Sequence, residues 1–239
     1  MIDVHLKKVL RRDDLSAQEQ QAVRDLVAST MRVAADKIVV RAGVPLKESM
    51  ILLEGWAARA KDLPSGQRQF AEIHLPGDFT DLHSFTLKRL DHDVVSITPC
   101  LFAIVPHERL KGMTEKLPHL TRVYWFLTSL DAAIHREWAL SLGRRSAISR
   151  MAHLFCELLV RLEIVGMTDG NSYEFPLTQV EVGESLGLTS VHVNRTLQEL
   201  RRLKLIEVDN RRVRILDVDA LKGVAQFDPT YLYLEKRER

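Results

Sequence analysis

Residues 177–216 read LTQVEVGESLGLTSVHVNRTLQELRRLKLIEVDNRRVRIL, and this stretch decides the fold. Thr178 and Glu181 have the spacing of a capping box, which predicts the start of a short helix. Gly187 then permits a tight turn, and Thr189 is placed to cap a second helix. Two helices joined by a glycine-containing turn of this length predict a helix-turn-helix.

Two alternating segments follow the second predicted helix. LIEV and VRIL alternate around Asp209 and Asn210, which predicts a β-hairpin, or wing, beside that helix. Between His192 and Arg214 the basic residues exceed the acidic ones by four, whereas the whole chain has a net charge of only +2. The positive charge is therefore concentrated where binding to a phosphate backbone needs it.

The second helix offers base-reading groups near its start. Arginine suits guanine, asparagine can pair with adenine, and valine offers only an apolar contact to a thymine methyl group. The predicted base-reading residues are Ser190, Val191, Asn194 and Arg195. The predicted phosphate contacts are Thr178, Gln179, Thr189, His192, Arg201, Arg211 and Arg212. A helical hairpin with a solvated basic face is the alternative interpretation of the same pattern.

The first half of the chain has a different sequence pattern, with short β-rich runs after one predicted helix. A capping box at Ser16 and Glu19 predicts a first helix. From about Met31 to Pro106, short β-rich runs separated by turn signals predict an antiparallel sandwich or barrel. These runs are DKIVVR, MILLEGWAARA, RQFAEIHL, HDVVSIT and LFAIVP.

A long amphipathic helix is predicted over about residues 119–145, with its break at Gly143. Its apolar stripe includes Leu120, Tyr124, Leu127, Leu130, Ile134 and Trp138. Such a stripe can pack on the chain's own barrel or form a two-helix seam between subunits, and the pattern allows both. We predict two domains, a β-rich one with this helix over residues 1–145 and a mostly helical one over residues 146–239.

At these motifs the chain resembles the CRP/FNR superfamily of bacterial transcription regulators. GLTSVHVNRTLQELRRLKLIEV resembles its helix-turn-helix, while LLEGWAARAKDLPSGQRQ and HLPGDF resemble its glycine-punctuated β-roll. The resemblance covers nearly the whole chain. It implies an α+β fold with an N-terminal double-stranded β-helix (jelly-roll) sensor domain, a long dimerisation helix and a C-terminal winged helix-turn-helix.

The same resemblance implies a homodimer on a palindromic operator of double-stranded DNA, with half-site centres ~34–36 Å apart. It favours the apolar stripe of the long helix as the dimer seam. It also implies RNA polymerase as a partner, with the loop Thr168–Tyr173 as a candidate activation surface. Many family members have a glutamate where this chain has Val191, so the half-site sequence is not predicted.

The candidate effector pocket comprises Gly77, Asp78, Leu90, Asp91 and His92. Cyclic-nucleotide-binding members of the family hold the phosphate with a Gly-Glu pair and an Arg-Ser pair, and this chain has neither. Asp91 and Asp93 lie near the position of the family's Arg-Ser pair, and their carboxylates would repel a phosphodiester anion. We therefore predict that cyclic AMP and cyclic GMP do not bind at the family site.

No cofactor or metal site is predicted. Cys100 and Cys156 are too few for the iron–sulfur branch of the family and are interpreted as buried core residues. His74, His83 and His92 lack the spacing of a specific metal site and are interpreted as ordinary surface or core histidines. Haem or another small effector stays open without a motif to support it.

Other classes of protein fit less well. There is no GxSxG elbow and no P-loop, so an enzyme is not predicted. No window approaches the ~18 apolar residues of a membrane span, and the two cysteines favour a reducing compartment, so a cytoplasmic location is predicted. Two functional alternatives remain. One is a regulator without an effector, controlled by abundance or a partner protein, and the other is a cyclic-nucleotide-type regulatory subunit acting through protein contacts.

Overall fold

The computed structural model describes residues 2–239. The helices are α1 (Asp3–Leu10), α2 (Ala17–Asp25), α3 (Ser84–Leu87), α4 (His107–Lys116), α5 (Pro118–Arg144), α6 (Ala147–Val165), α7 (Gln179–Leu186), α8 (Ser190–Arg202) and α9 (Val218–Ala225). The strands of the first half are β1 (Ser29–Val33), β2 (Lys37–Val40), β3 (Glu48–Glu54), β4 (Ala57–Asp62), β5 (Arg68–His74), β6 (Asp93–Ser96) and β7 (Cys100–Pro106). The later strands are β8 (Thr168–Asp169), β9 (Ser172–Glu174), β10 (Ile206–Asp209) and β11 (Arg212–Ile215).

The predicted antiparallel sandwich is confirmed. One sheet has the strand order β1-β7-β3 and the other has the order β2-β6-β4-β5, with every pairing antiparallel. Leu52 and Phe102 lie fully buried in one of its apolar clusters. Because sheets of this kind bury one face of each strand, the alternating runs of the sequence become a packed β-roll.

The long helix α5 follows α4, which begins directly after β7, the last strand of the sandwich. Pro118 occupies its first turn, where a missing N–H costs nothing, and the helix is roughly 40 Å long. The predicted end at Gly143 is one residue early, because the chain leaves helical geometry only at Arg145, which is extended. Ser146 then caps α6, most of whose residues are buried.

The apolar stripe of α5 packs inside its own chain, which corrects the prediction that it forms the dimer seam. Leu120 and Tyr124 lie in a cluster with the N-terminal helices and the β-roll, while Leu130, Ile134 and Trp138 lie in a cluster with α6. All five are less than 9% exposed, and Leu127 is half-buried. The predicted helical spacing of these apolar residues is correct, but they follow the alternative in which the stripe packs on its own chain.

The two ends of the chain, which no sequence signal predicted in detail, meet on the β-roll. α1 has no side-chain cap at its start, and it packs against the turn at Gly77. The segment after α9, residues 226–239 (the tail), contacts the residues that follow α1, where Arg12 donates to the carbonyl oxygen of Leu232 at 3.1 Å. α1 and the tail thus contribute to the walls of the cavity described below.

Candidate DNA-binding surface and effector cavity

The helix-turn-helix of α7 and α8 is built by local capping and one close approach. The Thr178 hydroxyl accepts from the Glu181 amide at 3.3 Å, and the Glu181 carboxylate accepts from the Thr178 amide at 2.7 Å. Gly187 ends α7 with φ of +63°, which confirms the predicted turn. The sequence interpretation missed Gly183, where a Cβ atom would lie 2.4 Å from the Leu188 carbonyl oxygen. Its signal was a glycine inside a helical pattern.

The predicted base-reading residues share one solvent-facing side of α8. Thr189 caps the helix by accepting from the His192 amide at 3.3 Å, and Val193 and Leu200 are fully buried on the opposite side. Ser190, Val191, Asn194 and Arg195 are all exposed. Val191 is 78% exposed, an apolar side chain held in water at the start of the helix. This side of α8 is therefore free to enter a groove.

The wing is a two-residue hairpin between β10 and β11. Asn210 and Arg211 have φ of 47° and 57°, as a type I′ turn requires, and they place Arg211 at the tip. Arg201 donates to the carbonyl oxygen of Val208 at 2.6 Å and so ties α8 to the wing. All seven residues predicted to contact phosphate are exposed, namely Thr178, Gln179, Thr189, His192, Arg201, Arg211 and Arg212.

The candidate effector pocket differs from the predicted one. A cavity of about 70 Å³ lies between the β-roll and α5, and of the five predicted residues only Gly77 and Asp78 line it. Leu90 packs in the sandwich core, and Asp91 points to solvent, where Lys61 donates to it at 2.7 Å. His92 contacts Asp91 at 2.9 Å. These three residues directly precede β6, which pairs with β2 and β4. The register of that pairing therefore sets the directions of the Leu90, Asp91 and His92 side chains.

The walls of the cavity carry buried ion pairs from five elements. Arg59 on β4 donates to Glu72 on β5 at 2.9 Å and to Asp131 on α5 at 2.7 Å. Lys8 on α1 pairs with Asp78. Although burial opposes it, the charges of Lys8 and Arg161 hold the pKa of Asp78 well below its ordinary value. The charged groups on the cavity walls are therefore paired with one another.

A buried polar network connects the cavity to α6, α5 and the tail. Arg161 donates to Asp78 at 3.0 Å and to Glu157 at 2.9 Å. The Glu157 carboxylate also accepts from the indole of Trp138 at 3.1 Å and from the hydroxyl of Tyr231 at 2.7 Å. Glu157 and Arg161 are at most 3% exposed, so each depends on these partners for its charge.

The cavity volume bears on the expected ligands. Pockets for drug-sized ligands measure roughly 300–1,000 Å³, and this cavity measures about 70 Å³. A nucleotide or a haem has no room in this conformation. Cys100 and Cys156 are both buried, and burial raises the pKa of their thiols to about 11 and about 12. Neither thiol is thiolate-like near neutral pH, in line with their interpretation as core residues.

The exposed basic helix-turn-helix and wing, carried behind a β-roll and a long helix, define a DNA-binding regulator with an appended sensor-type domain. Comparison with known proteins agrees. Residues 149–224 match the Crp-like helix-turn-helix domain family, and residues 30–116 match the cyclic nucleotide-binding domain family. No helix among residues 2–239 is long and apolar enough to cross a membrane.

The curated relatives are transcription regulators. The chain is 33% identical over 178 residues to the transcriptional activatory protein AadR of Rhodopseudomonas palustris, covering 73% of this chain and 72% of that one. It is 30% identical over 176 residues to the nitrogen fixation regulation protein FixK of Bradyrhizobium diazoefficiens, covering 73% and 72%. The chain belongs to the CRP/FNR family, and it is a DNA-binding transcription regulator of that type.

Solved structures share the fold. FixK2 from Bradyrhizobium japonicum superposes with a TM-score of 0.77 at 22% identity, over 83% of this chain and 98% of that one. The regulator CLP of Xanthomonas campestris superposes with a TM-score of 0.66 at 14% identity, over 84% and 100%. At these identities the likeness speaks for the architecture alone.

Proposed function

We propose that the protein acts as a homodimer that binds a palindromic operator, with the α8 helix of each protomer in successive major grooves. The observation that carries the proposal is the exposed side of α8, where Val191, Asn194 and Arg195 stand together beside a basic wing. Such a helix reads base edges, while the wing and the helix N-termini hold the phosphates. The proposal includes a division of roles at residue 145, with sensing assigned to residues 1–145 and DNA binding to residues 146–239.

The dimer seam is proposed on the outer side of α5 and not on the stripe predicted from the sequence. Exposed residues recur there at alternating steps of three and four, the spacing of a coiled-coil seam. They are Arg122, Trp125, Ser129, Ala132, Arg136, Ala139 and Gly143. Trp125 is 72% exposed, and Leu140, which follows Ala139, is 50% exposed, whereas the other side of α5 is covered by the chain itself. A second copy of α5 is the occupant that this row fits.

Sedimentation of the purified protein tests the seam. Trp125→Glu would place a charge in the middle of the row and is expected to shift the protein to a monomer with its fold intact. Lys111→Glu, a charge change at an exposed site of α4, is the control and should stay dimeric. A dimer that survives Trp125→Glu would place the seam elsewhere.

Base reading is tested with paired variants on operator and random DNA. Arg195→Ala should cost roughly 1–3 kcal/mol of discrimination between the two DNAs. Arg211→Ala removes only a backbone contact and should weaken binding to both alike. If Arg195→Ala also weakened both equally, its role would be phosphate binding and not base reading.

A regulator without an effector is the second candidate, controlled by abundance or by a partner protein. The small, ion-paired cavity favours it over a cyclic-nucleotide-type regulatory subunit. The proposed setting is the cytoplasm, with RNA polymerase as partner. Tyr173 is fully buried, so the candidate activation surface reduces to the exposed tip at Asp169 and Asn171. Replacing both should lower transcription without affecting DNA binding, and unchanged transcription would remove this surface from the proposal.

A further inference from the structure

We infer that the sensor half of the chain carries a binding site for the tail, and that the tail is a strap that holds the DNA-binding half in one position. The tail-binding site consists of residues 11–14, which follow α1, and Phe126 on α5. Its ligand is the basic segment 236–239. The inference rests on the proposed division of roles at residue 145, but its first test uses no DNA, so the two can fail separately.

The Arg239 guanidinium group anchors the tail in this site. It donates to the Arg12 carbonyl oxygen at 2.7 Å and to the Asp13 carboxylate at 3.3 Å. It also lies 3.6 Å from the centroid of the Phe126 ring, a cation–π contact. The side chain of Asp13 is only 3% exposed and that of Arg239 is 15% exposed. A buried carboxylate and an aromatic ring thus form a site that suits a guanidinium group.

The backbone of the tail is fixed at the same site. The Arg12 carbonyl oxygen accepts a second hydrogen bond, from the Arg237 amide at 3.1 Å. Arg11 donates to the Leu234 carbonyl oxygen at 2.7 Å. The Arg12 side chain donates to the carbonyl oxygen of Leu232. Since these contacts recur along the segment, the tail follows one defined path across the sensor half.

The first part of the tail is packed into the DNA-binding half. Leu232 is fully buried in the cluster that contains α6. The Tyr231 hydroxyl donates to Glu157 on α6 at 2.7 Å, and the Tyr231 ring stacks on His153, also on α6, with ring centroids 5.9 Å apart. The tail is therefore attached to α6 before Tyr233 and to the sensor half after it, which restricts the relative movement of the two halves.

Both partners of the contact lie outside the two matched family regions, which are residues 30–116 and 149–224. The contact also touches the cavity, because Arg12 and Leu232 both line it. A change in the cavity that moves Arg12 would therefore reach the tail directly. In the strapped position the base-reading side of α8 is exposed, so we assign the strap to the DNA-binding-competent arrangement.

The test is the distance between two spin labels, one on each half of the full-length protein. Cysteines introduced at Lys111 on α4 and Glu207 on the wing take the labels, because both sites are exposed while Cys100 and Cys156 are buried. Excess unlabelled protein keeps the labelled copies apart in any dimer. We expect one narrow distance distribution, which broadens in Arg239→Ala and on removal of residues 233–239. A narrow distribution in both variants would overturn the inference.

Arg237→Ala is the matched control. The Arg237 side chain is 75% exposed and donates only to Glu235, while its contact with the site is made by the backbone amide, which alanine keeps. Its distance distribution should equal that of the wild type. Asp13→Asn should broaden the distribution as Arg239→Ala does, and the double variant should add little to either, because both remove the same contact. Full additivity would refute the assigned pair.

Operator binding tests the functional part of the inference. Arg239→Ala should weaken it by about 3–10-fold, because fewer molecules then hold the competent position. Arg237→Ala should bind as the wild type does. Wild-type affinity in Arg239→Ala would overturn the assignment of the strap to the competent arrangement. If the protein failed to bind any operator, the spin-label distances would still decide whether the tail-binding site exists.

Discussion

The α8–wing surface and the cavity beside α5 both concentrate charge, but they treat it in opposite ways. On the surface, Arg195, Arg211 and Arg212 stand exposed on one short segment, with few fixed partners. In the cavity, Arg59 and Arg161 are at most 3% exposed, and each is fixed by carboxylates from other elements. Exposed cations can exchange water and counterions for phosphate, whereas buried ones hold elements together.

The difference teaches what each region can do. Exposed cations with few fixed partners contribute DNA affinity that salt weakens, and changing them leaves the fold unchanged. Buried ion pairs leave an uncompensated charge when one partner is removed, so changing them affects stability first. Stability measurements and DNA-binding measurements should therefore separate the two regions cleanly.

Arg161→Ala is expected to have the largest effect. It removes a buried cation that donates to the carboxylates of both Asp78 and Glu157, and it should lower the free energy of unfolding by about 3–5 kcal/mol. Denaturant unfolding measures it. The matched control, Arg211→Ala, should change stability by less than about 0.5 kcal/mol. Similar losses in the two variants would erase the contrast between cavity and surface.

Asp81 should make the stability of the β-roll depend on pH. Burial raises the pKa of its carboxyl group to about 7, against the hydrogen bond from the Met50 amide. The folded state then binds the proton more tightly than the unfolded state, so stability falls as pH rises from about 4 to 7. Asp81→Asn should reduce this fall by about 2 kcal/mol between pH 5 and 7.

Unfolding curves at the two pH values measure the Asp81 effect. Glu207→Gln, on the exposed wing, is the control and should leave the pH dependence as it is. A wild-type slope that persists in Asp81→Asn would assign the effect to other buried groups.

Gly183→Ala sharpens the comparison within the DNA-binding domain. The added methyl group would meet the Leu188 carbonyl oxygen, so α7 and α8 must move apart, at a cost of about 1–2 kcal/mol. Thermal unfolding measures the loss of stability. Gly223→Ala on α9, where an added Cβ has nothing within 4 Å, is the control and should be neutral or stabilising. Tolerance of Gly183→Ala would mean that α7 and α8 can move apart at little cost in stability.

Arg211→Ala should have the smallest effect. Removing one phosphate contact should reduce the slope of log affinity against log salt by about one, with the preference for operator over random DNA unchanged. Salt titration of both DNAs measures it. An unchanged slope would place the wing tip off the DNA.

The α8–wing surface could be predicted from sequence because its signals are local. The capping box of Thr178 and Glu181, the turn at Gly187 and the alternation around Asn210 all act within a few residues of the structure they form. The β-roll followed for the same reason, from short alternating runs between turn residues.

The cavity could not be predicted, because its charges come from elements between Lys8 and Arg161 that only tertiary packing brings together. Strand register decides that Glu72 and His74 share its wall, and that Asp91 does not. The prediction of which face of α5 forms the seam was wrong for a related reason. The spacing of apolar residues shows that a helix is amphipathic, but the apolar Trp125 and Leu140 lie outside the predicted stripe. Only the tertiary packing shows which face is free.

Selection of genomic DNA fragments by the purified, ligand-free protein, with salt-titrated binding of the selected fragments, tests the central claim most directly. We predict a two-fold symmetric motif with half-site centres ~34–36 Å apart, bound more tightly than random DNA and lost on Arg195→Ala. Binding that ignores sequence and collapses uniformly with salt would contradict the claim that α8 reads bases in this form of the protein.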